Sequence, residues 1–145
     1  MNQSLLHFRT VCREAFAFLI SDYGFHEAAP TPDLANTYIV EFANTSVSLR
    51  VIGEGYGSVA RVEYIDPEGR PVPSAVLDST WQPGAWRKKA KRAGKVKQSQ
   101  DDQIRAAAAQ IRSRDQDILG RRYERLQEAA VRWQQVLAAY KKKDA

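Results

Sequence analysis

Three consecutive runs of alternating apolar and polar residues, joined by short turns, constrain the fold of this chain most strongly. In 37–43, Tyr38, Val40 and Phe42 alternate with Thr37, Glu41 and Ala43, while Ile39 interrupts the polar side. In 46–52, Val47, Leu49 and Val51 alternate with Ser46, Ser48 and Arg50. In 58–65, Ala60, Val62 and Tyr64 alternate with Val59, Arg61 and Glu63. A period of two sends successive side chains to opposite faces, so each run has one buried and one wetted face, as in an antiparallel sheet. The connections agree. Asn44-Thr45 suits a tight hairpin, Gly53-Glu54-Gly55-Tyr56-Gly57 a looser turn, and Asp66-Pro67-Glu68-Gly69 ends the third run.

The buried face of such a sheet needs a cover. In residues 4–21, Leu5, Phe8, Cys12, Ala15, Phe16 and Leu19 recur at steps of three and four and form one helical stripe. Ser4 is placed to cap this helix and Gly24 to end it. The expected fold class is therefore α+β, with an N-terminal helix packed on a three-stranded, or slightly larger, antiparallel sheet.

The C-terminal third reads as helix from Asp101 to Lys143. Asp101 and Asp102 suit the positive end of its dipole and Lys141, Lys142 and Lys143 the negative end. Tyr123, Leu126, Ala130, Trp133, Leu137 and Tyr140 make one apolar seam. Ile104, Ala108, Ile111 and Ile118 make a thinner one, interrupted by Asp115. The two seams fall out of phase at Leu119-Gly120, where a kink or short turn is expected. An unbroken helix would run about 60 Å at 1.5 Å per residue, longer than the domain is wide, which favours a helical hairpin. The alternative is a protruding helix that forms a homodimer through the Tyr123–Tyr140 seam.

Charge divides the chain further. The total is 22 Lys+Arg against 17 Asp+Glu, but residues 1–80 sum to 5 − 10 = −5 and residues 81–145 to 17 − 7 = +10. The expected organisation is an acidic α+β body (1–80), a basic linker or arm (81–100) and a C-terminal helical region (101–145).

Candidate sites follow from these charges. Trp81, Trp86, Arg87, Lys88, Lys89, Lys91, Arg92, Lys95 and Lys97 combine indoles with seven cations and no acid, as a polyanion site requires: cations displace counterions and an indole stacks on an unpaired base. A solvated basic linker explains the same residues. Asp22, Glu27, Asp33, Glu54, Asp66, Glu68 and Asp78 give the body an acidic field suited to a basic protein partner, or simply to solubility. Glu41, Arg50, Arg61 and Glu63 project from the wetted sheet face, where cross-strand ion pairing accounts for them without chemistry. Gly53-x-Gly55-x-Gly57 is followed by a strand, so it reads as a hairpin turn and not a phosphate loop.

Other classes are excluded or disfavoured. The single cysteine, Cys12, forms no internal disulfide and no Cys-based zinc site. With only His7 and His26 beside it, neither a metal nor a cofactor is expected. No Gly-x-Ser-x-Gly, His-Glu-x-x-His or Walker sequence occurs, so no enzyme activity is expected. No apolar run approaches the roughly 20 residues of a membrane helix, and no signal peptide is evident. The expected compartment is the cytoplasm.

Phe18-Leu19-Ile20-Ser21-Asp22-Tyr23-Gly24-Phe25, Tyr38-Ile39-Val40-Glu41-Phe42, Val47-Ser48-Leu49-Arg50-Val51 and Asp117-Ile118-Leu119-Gly120 occur in an order that is similar to small bacterial proteins found beside polymorphic toxins. Many of those act as immunity proteins. The resemblance spans residues 5–65 and 104–126, and the stretch from Pro71 to Gln100 departs from it. It implies a cytoplasmic inhibitor that binds one cognate toxin and occludes its active site. The alternative is a nucleic-acid-binding accessory protein acting through residues 87–97 with Trp81 and Trp86.

Overall fold

The computed structural model describes residues 2–34, 37–55, 57–83 and 98–143. Two helices, α1 (Gln3–Ala15) and α2 (Ala17–Tyr23), lead into β1 (His26–Ala28) and a 3₁₀ turn (Pro32–Leu34). β2 (Ile39–Ala43), β3 (Ser48–Glu54), β4 (Val59–Ile65) and β5 (Pro71–Pro73) follow, then a second 3₁₀ turn (Ser74–Leu77). The chain closes with α3 (Gln100–Arg114), α4 (Gln116–Leu119) and α5 (Glu124–Lys143). The protein is α+β, with its helices at the two ends of the chain.

The strands form one antiparallel sheet in the order β1-β2-β3-β4-β5. The three central strands are the alternating runs. The two edge strands are three residues each, too short to show alternation. Pro71 and Pro73 suit β5 to an edge, because proline cannot donate to a neighbouring strand.

In register, Phe42 faces Leu49, Leu49 faces Tyr64 and Tyr64 faces Val72, while Val40, Val51 and Val62 form the adjacent row. These residues join Leu5, Phe8, Phe16, Leu19, Ile104, Ile111, Ile118 and Leu126 in one hydrophobic core. The charge boundary near residue 81 is therefore not a core boundary. α3 packs against α1 and β4, and α5 against β5 and the second 3₁₀ turn.

Local details depart from expectation for physical reasons. The side chain of Asn2, not Ser4, caps α1 by accepting the Leu5 N–H at 2.6 Å. Ser4 instead pairs with the Tyr38 hydroxyl at 2.6 Å. The single helix expected over 4–21 breaks at Phe16. The region from Asp101 onward breaks twice, at Asp115 and at 120–123, so it is three helices; the second break falls at the phase change at Leu119-Gly120.

Gly53 sits at a close approach, with the Gln100 side-chain amide 2.9 Å from where a Cβ would stand. A Cβ there would lie 3.0 Å from the Phe8 ring and 3.2 Å from the Tyr38 Cβ. The glycine lets α1 reach the sheet, and no phosphate loop follows it.

Cys12 lies on the buried stripe of α1, and burial, assisted by the nearby Glu27 charge, pushes its thiol up to about 12. Thiolate is the reactive form. Cys12 should resist an aromatic disulfide reagent at neutral pH in the folded protein and react at once in denaturant. Stoichiometric labelling within minutes under native conditions would show that the α1 stripe opens.

Candidate functional site

The wetted face of the sheet carries an ion-pair ladder across three strands. Register places Glu41, Arg50 and Glu63 in one row. Arg50 Nε donates to Glu41 Oε1 at 2.6 Å, and its Nη1 lies 3.7 Å from Glu63 Oε1. Arg61 continues the ladder, with Nε donating to Glu54 at 2.8 Å and Nη1 lying 3.5 Å from Glu63. Ile39 and Ile52 flank this row on one side and Ile65 on the other. Three carboxylates and two guanidiniums thus stand among isoleucines on a half-exposed surface. The pairing expected from alternation is present, and exposed pairs of this kind contribute roughly 0–1 kcal/mol each.

The candidate acidic residues lie on several elements, and most of them stand beside an arginine. Asp22, at the end of α2, is 3.5 Å from Arg112. Glu27 in β1 accepts from Arg13 through both carboxylate oxygens, at 2.7 and 3.0 Å. Glu54 pairs with Arg61 and Glu68 with Arg70. Asp33 stands exposed in the first 3₁₀ turn. Asp78 accepts from the Thr80 N–H and hydroxyl.

Asp66 is not a surface group. Its fully buried carboxylate accepts from the Glu68 and Arg70 N–H groups and from Arg70 Nε, building the β4–β5 turn. Arginines stand beside Asp22, Glu27, Glu41, Glu54, Glu63, Asp66 and Glu68, so cations are interleaved with the body's acids while its net charge stays −5.

Of the candidate polyanion residues, Trp81 is described and Trp86, Arg87, Lys88, Lys89, Lys91, Arg92, Lys95 and Lys97 lie outside the described residues. The Trp81 ring meets Trp133 edge-on, centroids 6.2 Å apart, and Arg132 lies over it at 5.4 Å. Arg132 also donates to the Val76 carbonyl. This partly buried indole packs against α5, with the arginine over one of its faces.

The C-terminal seam is used within the chain over its first half. Leu126 and Ala130 are fully buried, Tyr123 and Trp133 are half-buried, and Leu137 is 39 % exposed while Tyr140 is half-buried. Asn44 donates to the Tyr123 hydroxyl at 3.2 Å.

A network missed by sequence reasoning ties these helices to the sheet. Asp115, fully buried, accepts from Arg114 Nε (2.7 Å) and Nη2 (2.8 Å), from Arg125 Nη2 (2.8 Å) and from the Tyr64 hydroxyl (2.8 Å). Arg125 also holds Asp117 at 2.7 and 3.1 Å and donates to the Leu77 and Arg114 carbonyls. Burial, reinforced by the Asp115 charge, pushes the Tyr64 hydroxyl well above its ordinary pKa. The only advance signal was an aspartate interrupting an apolar seam. With Asp115 closed from solvent at its centre, the network clamps the ends of α3, α4 and α5 to β4.

The Arg125 hydrogen bond holds the Asp117 carboxyl below its usual range. A carboxyl lowered by folding contributes stability that is complete above its unfolded value, roughly 4, and is lost as pH falls through the folded value. The urea stability gap between the parent and Asp117→Asn should therefore be constant near neutrality and close below about pH 4. A gap unchanged down to roughly pH 3 would contradict the pairing.

A cleft of about 120 Å³ lies beside these features, where α1 meets the β1–β2 edge. Its lining includes Arg9, Arg13, Glu27, Thr31, Glu41 and Arg50. Among the described residues, no group of three or more His, Cys, Asp or Glu side chains is arranged to hold a metal ion, and no helix is long and apolar enough to cross a membrane.

Comparison with protein-family models, with curated proteins and with solved structures gives no match to this chain.

Proposed function

We propose that this chain is a non-catalytic protein-binding module that works as an immunity or antitoxin-type inhibitor, occluding a cognate bacterial toxin in the cytoplasm. The observation that supports this most is the wetted sheet face. Interfaces combine apolar area for burial with charges that set register and steer encounter. The half-buried Ile39 and Ile65 offer the first, and the Glu41-Arg50-Glu63-Arg61-Glu54 ladder the second. The ladder holds one carboxylate more than it holds guanidiniums, which favours a partner with a basic rim.

The deciding experiment is to test the products of neighbouring reading frames for toxicity with and without co-expression of this chain, together with a pull-down at two salt concentrations, with and without nuclease. The expected result is growth rescue and a stoichiometric complex that survives nuclease and high salt. Charge reversal at Glu41→Lys with Glu54→Lys should weaken that complex by at least about tenfold while leaving the fold intact. Recovery of nucleic acid that vanishes at high salt would overturn the proposal and turn attention to the basic run at 87–97.

A further inference from the structure

We propose that Gln103 guards an edge of the sheet: its carboxamide stands in for a neighbouring strand on β4 and keeps that edge from pairing with a second copy of the chain. β5 covers β4 only over residues 63–65, a stretch that its own two prolines blunt. Because Pro71 and Pro73 have no N–H, the hydrogen-bonded pair between these strands is Tyr64 with Val72. The backbone repeats every two residues, so Ser58, Ala60 and Val62 turn their N–H and C=O groups to the same side as Tyr64, past the end of β5. Such a row is a template for a further strand.

Gln103 occupies the start of that row. From α3 its side-chain N–H donates to the Ser58 carbonyl at 2.8 Å, and its side-chain carbonyl accepts the Ala60 N–H at 2.9 Å. These are the two bonds that a residue of a parallel strand would make opposite Val59. The same side-chain nitrogen donates to the Gln98 carbonyl at 3.0 Å, and the Gln103 backbone N–H is held by the Ser99 carbonyl at 3.0 Å, so the amide is fixed in place. Gln100 adds a bond to the Val59 carbonyl at 2.9 Å. Solvent reaches this edge, since Ser58 and Arg61 are exposed and Val59 is 39 % exposed. The occupant the guard excludes is a second β4. Antiparallel pairing centred on Ala60 sets Val59 against the second copy's Arg61, so no like charges meet and each exposed valine gains a cover. The β4 edge lies apart from the immunity proposal, because pairing here needs no other protein.

The test compares the full chain with Gln103→Ala and Gln103→Glu, by light scattering over a concentration series and by amide exchange at Ala60. The parent should keep the mass of one chain throughout. Both variants should move toward the mass of two chains as concentration rises, because alanine removes the amide and glutamate sets an acceptor against the Ser58 carbonyl. In dilute Gln103→Ala, exchange at the Ala60 amide should rise about fivefold, the loss of one hydrogen bond. Adding Val59→Lys to Gln103→Ala should restore the mass of one chain, because an edge lysine discourages strand addition. The inference is overturned if both Gln103 variants keep the parent's mass at every concentration, or if their association survives Val59→Lys. A parent that already pairs, and that Val59→Lys returns to one chain, overturns it as well.

Discussion

Asp115→Ala should lower the unfolding free energy by about 3–5 kcal/mol, the usual consequence of removing one member of a buried, hydrogen-bonded ion network. Asp115 accepts four hydrogen bonds with no exposure to solvent. Without it, Arg114 loses both of its hydrogen-bonded carboxylate contacts while its side chain is 17 % exposed, and its Nη1 is already buried with no partner among the described residues. The Tyr64 hydroxyl loses its acceptor at the centre of the sheet. Arg125 keeps Asp117 and the two carbonyls, so the damage centres on Arg114 and Tyr64. For a chain of 145 residues the shift in Tm should be on the order of 10 °C. Urea unfolding of Asp115→Ala beside Tyr64→Phe measures this, because Tyr64→Phe removes only one of the four bonds and should cost about 1 kcal/mol. If Asp115→Ala costs no more than Tyr64→Phe, the arginines find water or other acceptors and the clamp is not what joins helices to sheet.

The clamp also shows what was legible in the sequence. Central strands, helical stripe and cross-strand ladder each depend on residues close together in the chain, and period two or 3.6 displays them directly. Tyr64, Asp115 and Arg125 come from different elements, so nothing local marks them beyond an acid in an apolar seam. The same holds for the cleft, since Arg9 and Arg13 lie on a helix and Arg50 on a strand with three elements between them. The placement of the acidic side chains is hidden from the sequence for a related reason. A sum over residues 1–80 gives the net charge but not its placement, and folding buries Asp66 in a turn on Arg70 and seats Glu27 on Arg13. Asp117-Ile118-Leu119-Gly120 belongs to the same lesson. In the structure Asp117 holds Arg125, Ile118 and Leu119 are buried, and a Cβ at Gly120 would sit 3.0 Å from the Gln116 carbonyl oxygen. A conformational need explains each residue of that motif without a partner.

Phe16→Ala should cost about 3–5 kcal/mol as well, through loss of packing and not of charge. Phe16 sits where the expected continuous helix divides into α1 and α2. Its N–H still bonds to the Cys12 carbonyl, but its carbonyl takes the Leu19 N–H in a tighter turn. That local change re-aims the chain so that Phe16, Phe18 and Leu19 all enter the core, which an uninterrupted helix would not allow on a single stripe. The Phe16 ring, fully buried, lies 5.9 Å from Phe42 on β2 and 6.1 Å from Phe18 on α2. Phe18 in turn lies beneath the Arg112 guanidinium of α3 at 5.2 Å. Removing the ring therefore loosens three elements at one point. Phe16→Leu, which keeps most of the volume but no aromatic contact, should cost less than half as much. Urea unfolding gives both values, and the rate of Cys12 labelling gives an independent check one helical turn away. In Phe16→Ala the labelling rate should rise with the loss of global stability, because opening the α1 stripe requires separating it from β2. A destabilised variant whose Cys12 stays as protected as in the parent would place the weakened contact in α2 alone.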